Sequence, residues 1–119
     1  MKPILLLLGV AIELLWLAPV CAQEPAPLRI GVVFPFTGKQ VRQAQLGKAG
    51  IELALAEYPE FNPQIFYEDD QSNAKNAVTA FGKLNALNKV EVVFTMGSPS
   101  AMAVLPLANR AKIVLMSMV

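Results

Sequence analysis

Apolar residues are arranged along this chain with two alternating periodicities. Residues 29–34, 64–68, 90–95 and 113–116 are short runs rich in β-branched and aromatic side chains, which is typical of buried strands. The segments between them repeat apolar side chains every three to four positions, which predicts amphipathic helices. The order is β-α-β-α-β-α-β, and it predicts an α/β fold with a doubly wound, mostly parallel sheet.

The helical patterns also predict which side chains are buried. We expect Gly47 and Gly50 to let the first helix, at residues 39–58, approach the sheet closely. Its predicted buried face consists of Leu46, Ala49, Gly50, Leu53 and Ala54. Ser72 or Asn73 is the expected N-cap of the second helix. The predicted buried stripe of that helix consists of Ala77, Ala80, Phe81, Leu84 and Leu87.

The first 22 residues are predicted to be a cleaved signal peptide rather than part of the fold. Lys2 precedes an apolar stretch at residues 4–18, and small residues lead to Ala22, after which we expect cleavage. A retained signal anchor is the alternative, although the stretch is short for a membrane span and contains Glu13. Residues 23–27 then form a polar, proline-containing linker.

Composition narrows the possible functions. The formal net charge is +1 and no run of like charges occurs, which gives no support for a nucleic-acid partner. The chain contains no histidine, and its single cysteine, Cys21, lies within the predicted signal peptide. Lipid attachment to Cys21 is disfavoured because Ala18 and Val20 replace the residues that this modification usually requires. We therefore expect no metal site and no cofactor.

Ser98 is the first candidate for ligand binding. It follows the third strand and precedes Pro99, which suits the first turn of a helix. The sequence predicts that Ser98 is the N-cap and that the N–H groups of Ser100 and Ala101 are free. A hydroxyl, free amides and the positive end of a helix dipole together suit a carboxylate or phosphate. An ordinary helix cap is the competing interpretation, and by position alone it is favoured.

Two further groups of residues follow the first and second strands. Phe36 and Thr37 either line a ligand pocket or are a core residue and a plain turn, and the sequence favours neither. Asp69 and Asp70 are more typical of solvated turn residues than of cation ligands. No G-x-G-x-x-G motif follows the first strand, and no nucleophile–base pair is present.

Several motifs in order resemble a known family. They are RIGVVFPFTG, GIELALAE, YEDDQSN, MGS and KIVLMS, and together they extend over residues 28–117. They resemble the type I periplasmic binding proteins, in particular the leucine/isoleucine/valine-binding branch that serves branched-chain amino-acid ABC importers. The resemblance implies that residues 28–119 are part of the N-terminal lobe of a two-lobed protein.

The resemblance also implies roles for particular residues. In this family a serine that opens the helix after the third strand holds the carboxylate of the ligand. Ser98 fits that place best and Ser100 is second. Groups just after the fourth strand also bind ligand, which points to Ser117 and Val119. The expected partners are an amino acid, or a related small carboxylate or amide, and a membrane ABC permease.

Three functional classes are compatible with these observations. The first is an extracytoplasmic solute-binding protein in the periplasm, which is not an enzyme. The second is a ligand-sensing ectodomain of the same fold that acts as a regulator or receptor. A small doubly wound enzyme ranks last. Because such a sheet normally continues after its fourth strand, we also expect this sequence to be either a truncated open reading frame or a fragment of a longer protein.

Overall fold

A computed structural model describes residues 25–118 of the chain. The predicted signal peptide and Val119 lie outside the described residues. The strands are β1 (Arg29–Phe34), β2 (Gln64–Asp69), β3 (Val92–Met96) and β4 (Val114–Met118). The helices are α1 (Val41–Glu57), α2 (Ala74–Lys83), which continues into a π-helical turn at Leu84–Asn88, and α3 (Ser98–Ala111). None of the helices within this range is long and apolar enough to cross a membrane.

The four strands form one parallel sheet in the order β2-β1-β3-β4. The doubly wound α/β fold predicted from the sequence is confirmed. Helix α1 packs on one face of the sheet, against Ile30, Val32 and Phe34. Helices α2 and α3 cover the opposite face, where Val33 and Val93 lie. The chain therefore changes direction between β1 and β3, and such a switch point leaves a crevice at the carboxyl ends of the strands.

Helix α2 largely follows the prediction. Asn73 is its N-cap, and the Asn73 side chain accepts hydrogen bonds from the N–H groups of Lys75 and Asn76. The predicted stripe is buried as far as Leu84, but Leu87 is 72% exposed. The π-helical turn explains this difference, because its wider spacing rotates Leu87 away from the face that the preceding α-helical turns bury.

The predicted buried face of α1 is wrong. Leu46 is 64% exposed and Leu53 is 61% exposed, and the other predicted positions on this helix also face solvent. The face that meets the sheet carries Val41, Ala44, Ile51 and Leu55, with Ala44 fully buried. Helix α1 has two apolar stripes on opposite sides, and periodicity alone does not say which one meets the sheet.

Gly47 and Gly50 of α1 differ in the space around them. A Cβ atom on Gly47 would lie 2.8 Å from Cε2 of Phe34 and 3.0 Å from the terminal methyl of Met96. Gly47 thus lets α1 approach the sheet, as predicted. A Cβ atom on Gly50 would meet nothing within 4 Å, so the same expectation is wrong for Gly50.

We predict opposite effects of alanine at these two positions. Gly47→Ala should lower the free energy of unfolding by about 1–2 kcal/mol, because crowding of the buried Phe34 ring outweighs the gain in helix propensity. Gly50→Ala should raise it by about 0.5–1 kcal/mol through propensity alone. Urea denaturation at low protein concentration measures both changes. Equal effects of the two substitutions would contradict this account of the α1 packing.

Candidate functional site

Loops from three strands meet at the carboxyl edge of the sheet and enclose a cleft of about 340 Å³. The cleft lies between the start of α3 and the residue before α1, which is the switch point between β1 and β3. It is lined by Gln40, Ser72, Met96, Gly97, Ser98, Pro99 and Ser100. Two of the residues predicted to bind ligand, Ser98 and Ser100, are therefore in the cleft.

The first turn of α3 differs from the prediction in two ways. Gly97, not Ser98, is the N-cap, and the Ser98 side chain forms no capping hydrogen bond. Gly97 has φ 85°, a conformation that favours glycine, so the chain turns into the helix one residue earlier than expected. The Ala101 N–H donates to the Gly97 carbonyl at 3.1 Å, so it is not free.

Two backbone donors remain at this helix start. Ser98 and Ser100 occupy the first turn, where helical geometry provides no intrahelical acceptor, and Pro99 between them has no N–H. The exposed Ser98 hydroxyl lies beside these donors. The positive end of the α3 dipole reinforces them, so this corner of the cleft favours an anion.

Asp70 is a buried residue of the site, and its predicted role as a solvated turn residue is wrong. It is 0% exposed and accepts a hydrogen bond from the Ser100 hydroxyl at 2.6 Å. Its other carboxylate oxygen accepts the Ser72 N–H at 2.9 Å. Ser100 is itself only 2% exposed. Its hydroxyl is thus committed to Asp70, which leaves the Ser98 hydroxyl as the one that faces the cleft.

Asp69 holds the loop after β1. The Thr37 hydroxyl donates to one oxygen of Asp69, and the Gln71 N–H donates to the other. Partial burial by itself would raise the pKa of Asp69, but hydrogen bonds from the Thr37 side chain and from the N–H groups of Gln71, Thr37 and Phe36 outweigh it and lower that pKa. Thr37 thus joins the β1 and β2 loops and does not line the cleft.

Two further predicted site residues, Phe36 and Ser117, do not line the cleft. Phe36 packs against the apolar cluster beneath α1, with its ring centre 5.9 Å from Phe34 and 5.8 Å from Tyr67. The structure thus favours the core interpretation of Phe36. Ser117 is an exposed residue of β4 that pairs with Thr95.

Sequence reasoning did not assign five of the residues that line the cleft, namely Gln40, Ser72, Met96, Gly97 and Pro99. The Ser72 hydroxyl donates to the Gln40 side-chain oxygen at 3.0 Å and closes one end of the cleft. Met96 and Gly97 also line an adjoining apolar cavity of about 220 Å³, together with Met118. Each of these residues is the last of a strand or lies within two residues of the start of a helix. That position was the signal that could have identified them.

The site suits binding of a small anion with an apolar part. Polar donors converge at Ser98, and the side chains of Met96 and Met118 form an apolar surface beside them. Among residues 25–118 no group of three or more acidic, histidine or cysteine side chains could hold a metal ion.

Comparison with known proteins agrees with the fold. A family profile described as periplasmic binding protein matches residues 27–119. The chain belongs to this periplasmic binding protein family. No curated protein sequence gives a significant match.

Several solved structures share this fold. A Rhodopseudomonas palustris solute-binding protein in complex with benzoate has a TM-score of 0.72 at 23% identity, over 77% of this chain and 27% of that one. A leucine-binding protein from Thermotoga maritima has a TM-score of 0.70 at 22% identity, over 76% and 27%. A branched-chain amino acid transporter substrate-binding protein from Streptococcus pneumoniae, in complex with isoleucine, has a TM-score of 0.68 at 22% identity, over 76% and 28%.

Each of these matches covers only a part of the solved structure, so the similarity concerns that part alone. The chain spans about a quarter of the length of the structures it resembles. The likeness is one of fold, over a four-stranded parallel sheet and three helices.

We predict that the two serines of α3 contribute differently to stability. Ser100→Ala removes a hydrogen bond to a buried carboxylate and should lower the free energy of unfolding by about 1.5–3 kcal/mol. Ser98→Ala removes an exposed side chain that forms no cap, so it should change that free energy by less than about 0.5 kcal/mol. Urea titration of both variants measures the difference. A cost at Ser98 as large as a lost helix cap would show that the Gly97 cap is misassigned.

Proposed function

We propose that this chain forms part of the ligand-binding lobe of an extracytoplasmic solute-binding protein of an ABC importer. The observation that carries the proposal is the cleft at the switch point between β1 and β3, where the free donors of Ser98 and Ser100 lie beside Met96 and Met118. The anionic group of a small ligand would contact these donors, and its apolar part would contact the two methionine side chains. The protein would bind its ligand without transforming it and deliver it to a membrane permease.

The ligand class follows from the chemistry of this corner. A carboxylate fits two backbone N–H groups, one hydroxyl and a helix dipole. The similar structures contain isoleucine in one case and benzoate in another, and both ligands carry a carboxylate on an apolar body. We propose a small apolar carboxylate, with branched-chain amino acids as the first ligands to test.

We predict that Ser98 anchors the carboxylate. Ser98→Ala should weaken binding of leucine, isoleucine or benzoate by roughly tenfold to a hundredfold, because a hydrogen bond to a charged group is worth about 1.5–3 kcal/mol. Titrations of the ¹⁵N-labelled chain followed by NMR measure millimolar as well as tighter affinities. The amide signals of Ser98 and Ser100 should shift first.

Matched ligands and a matched variant complete this test. 3-Methylbutylamine is leucine without its carboxylate, and benzyl alcohol is a neutral counterpart of benzoate, so neither should shift those two signals. Ser98→Thr retains the hydroxyl and should retain most of the affinity. Equal affinity of wild type and Ser98→Ala for all three carboxylates would remove Ser98 from the site. Absence of any carboxylate-dependent shift would refute the proposed function.

We also propose that the chain is exported with cleavage after Ala22, because of the charged start, apolar stretch and small residues in the first 22 positions. Expression in a Gram-negative host followed by N-terminal sequencing of the periplasmic fraction should find Gln23 first. Replacement of Ala22 by a bulky residue such as leucine should block or move the cleavage. A lipid-modified Cys21, or uncleaved protein at the membrane, is the result that contradicts this prediction.

A further inference from the structure

Helix α1 presents a second apolar stripe directly opposite the side that meets the sheet. Leu46 and Leu53 are 64% and 61% exposed, and Ala49 and Gly50 are exposed between them. Each leucine lies three positions from one of the two small residues and four positions from the other, so the four residues form one continuous face of the helix. Two large exposed leucines on one face are unusual for a surface that remains in contact with water.

This stripe is symmetric about its own centre. The midpoint lies between Ala49 and Gly50, and Leu46 and Leu53 are equally far from it on either side. Farther out, and again at equal distances, the same face begins with Arg42 and ends with Glu57. A two-fold axis through the midpoint would therefore place each leucine opposite a leucine and each arginine opposite a glutamate.

The two charged residues have no ionic partner in the described part of the chain. The salt bridges found there are Lys48–Glu52 and Lys83–Glu68. Arg42 and Glu57 are both exposed and point to the same side as the leucines. Opposite charges at the two ends of the stripe favour an antiparallel partner helix, because a parallel copy would bring like charges together.

The centre of the stripe allows close contact between two helices. Gly50 has open space where a Cβ atom would be, and Ala49 adds only a methyl group. Small residues at the crossing point let two helix backbones approach while larger flanking side chains interlock. The partner that best fits a self-complementary surface is an identical surface.

We propose that this protein self-associates through α1, with two copies packed antiparallel about a two-fold axis between Ala49 and Gly50. In this dimer Leu46 of each copy packs against Leu53 of the second copy, and Arg42 pairs with Glu57 of the second copy. The helix has 17 residues, so the contact is about 25 Å long. An interface of that length lies below the usual size of a permanent one, which makes the dimer weak and concentration-dependent.

Charge reversal tests the pairing at the ends of the stripe. Sedimentation velocity over a range of concentrations gives the dimer dissociation constant for the full chain with Cys21→Ser. Arg42→Glu or Glu57→Arg alone should weaken the dimer by about tenfold, because like charges then meet at both ends. The double variant with both reversals should recover the wild-type constant. Lys75→Glu, on exposed α2, is the charge-matched control and should have no effect.

Disulfide cross-linking tests the geometry independently of affinity. In the Cys21→Ser background, Ala49→Cys lies beside the proposed two-fold axis and should form a covalent dimer under mild oxidation. Arg42→Cys lies about 22 Å from its symmetry mate in an antiparallel pair and should not cross-link. Cross-linking of Arg42→Cys would indicate a parallel arrangement and overturn the proposal. Equal cross-linking of Ala49→Cys and Lys75→Cys would indicate unspecific association and would also overturn it, as would a chain that stays monomeric at every concentration.

Discussion

A buried carboxylate connects all the segments that form the cleft. The Asp70 N–H donates to the Phe34 carbonyl at the end of β1, and its own carbonyl accepts the Asn73 N–H at the start of α2. Its side chain accepts hydrogen bonds from the Ser72 N–H and the Ser100 hydroxyl. One residue thus fixes the positions of two strand ends and two helix starts. A buried carboxylate is tolerated only with such partners, so the loop has little freedom to adopt another arrangement.

This hydrogen-bond network gives the two serines of α3 different roles. Ser100 fixes the start of α3 through its bond to Asp70, and the exposed Ser98 hydroxyl has no hydrogen-bond partner within residues 25–118. The Gly97 N–H donates to the Met118 carbonyl, which ties the start of α3 to the end of β4. A site that recognises ligands by direction-specific hydrogen bonds requires donors that are fixed in this way before the ligand arrives.

Much of the fold could be predicted from the sequence because β1 is buried on both faces and the strands alternate regularly with helices. β-Branched runs such as that of β1 have no other stable environment, and short helices between them require parallel pairing. The predictions that failed depend on information that is not local. The buried side of α1 depends on which stripe fits against Phe34, and the burial of Asp70 depends on Ser100, 30 residues later. The Gly97 cap and the π-helical turn that exposes Leu87 involve shifts of a single residue, which periodic patterns do not resolve.

The strand order also sets the sequence of events in folding. β1 lies between β2 and β3, and its contact with β3 joins residues 62 positions apart, as between Arg29 and Glu91. The chain must close this long loop before the central pair of strands yields any stabilisation, and loop closure of that length slows the search for the native state. β1, α1 and β2 all precede β3 along the chain, so they are synthesised before it. The inner strand β1 therefore gains its second neighbour only after about three quarters of residues 25–118 have been synthesised.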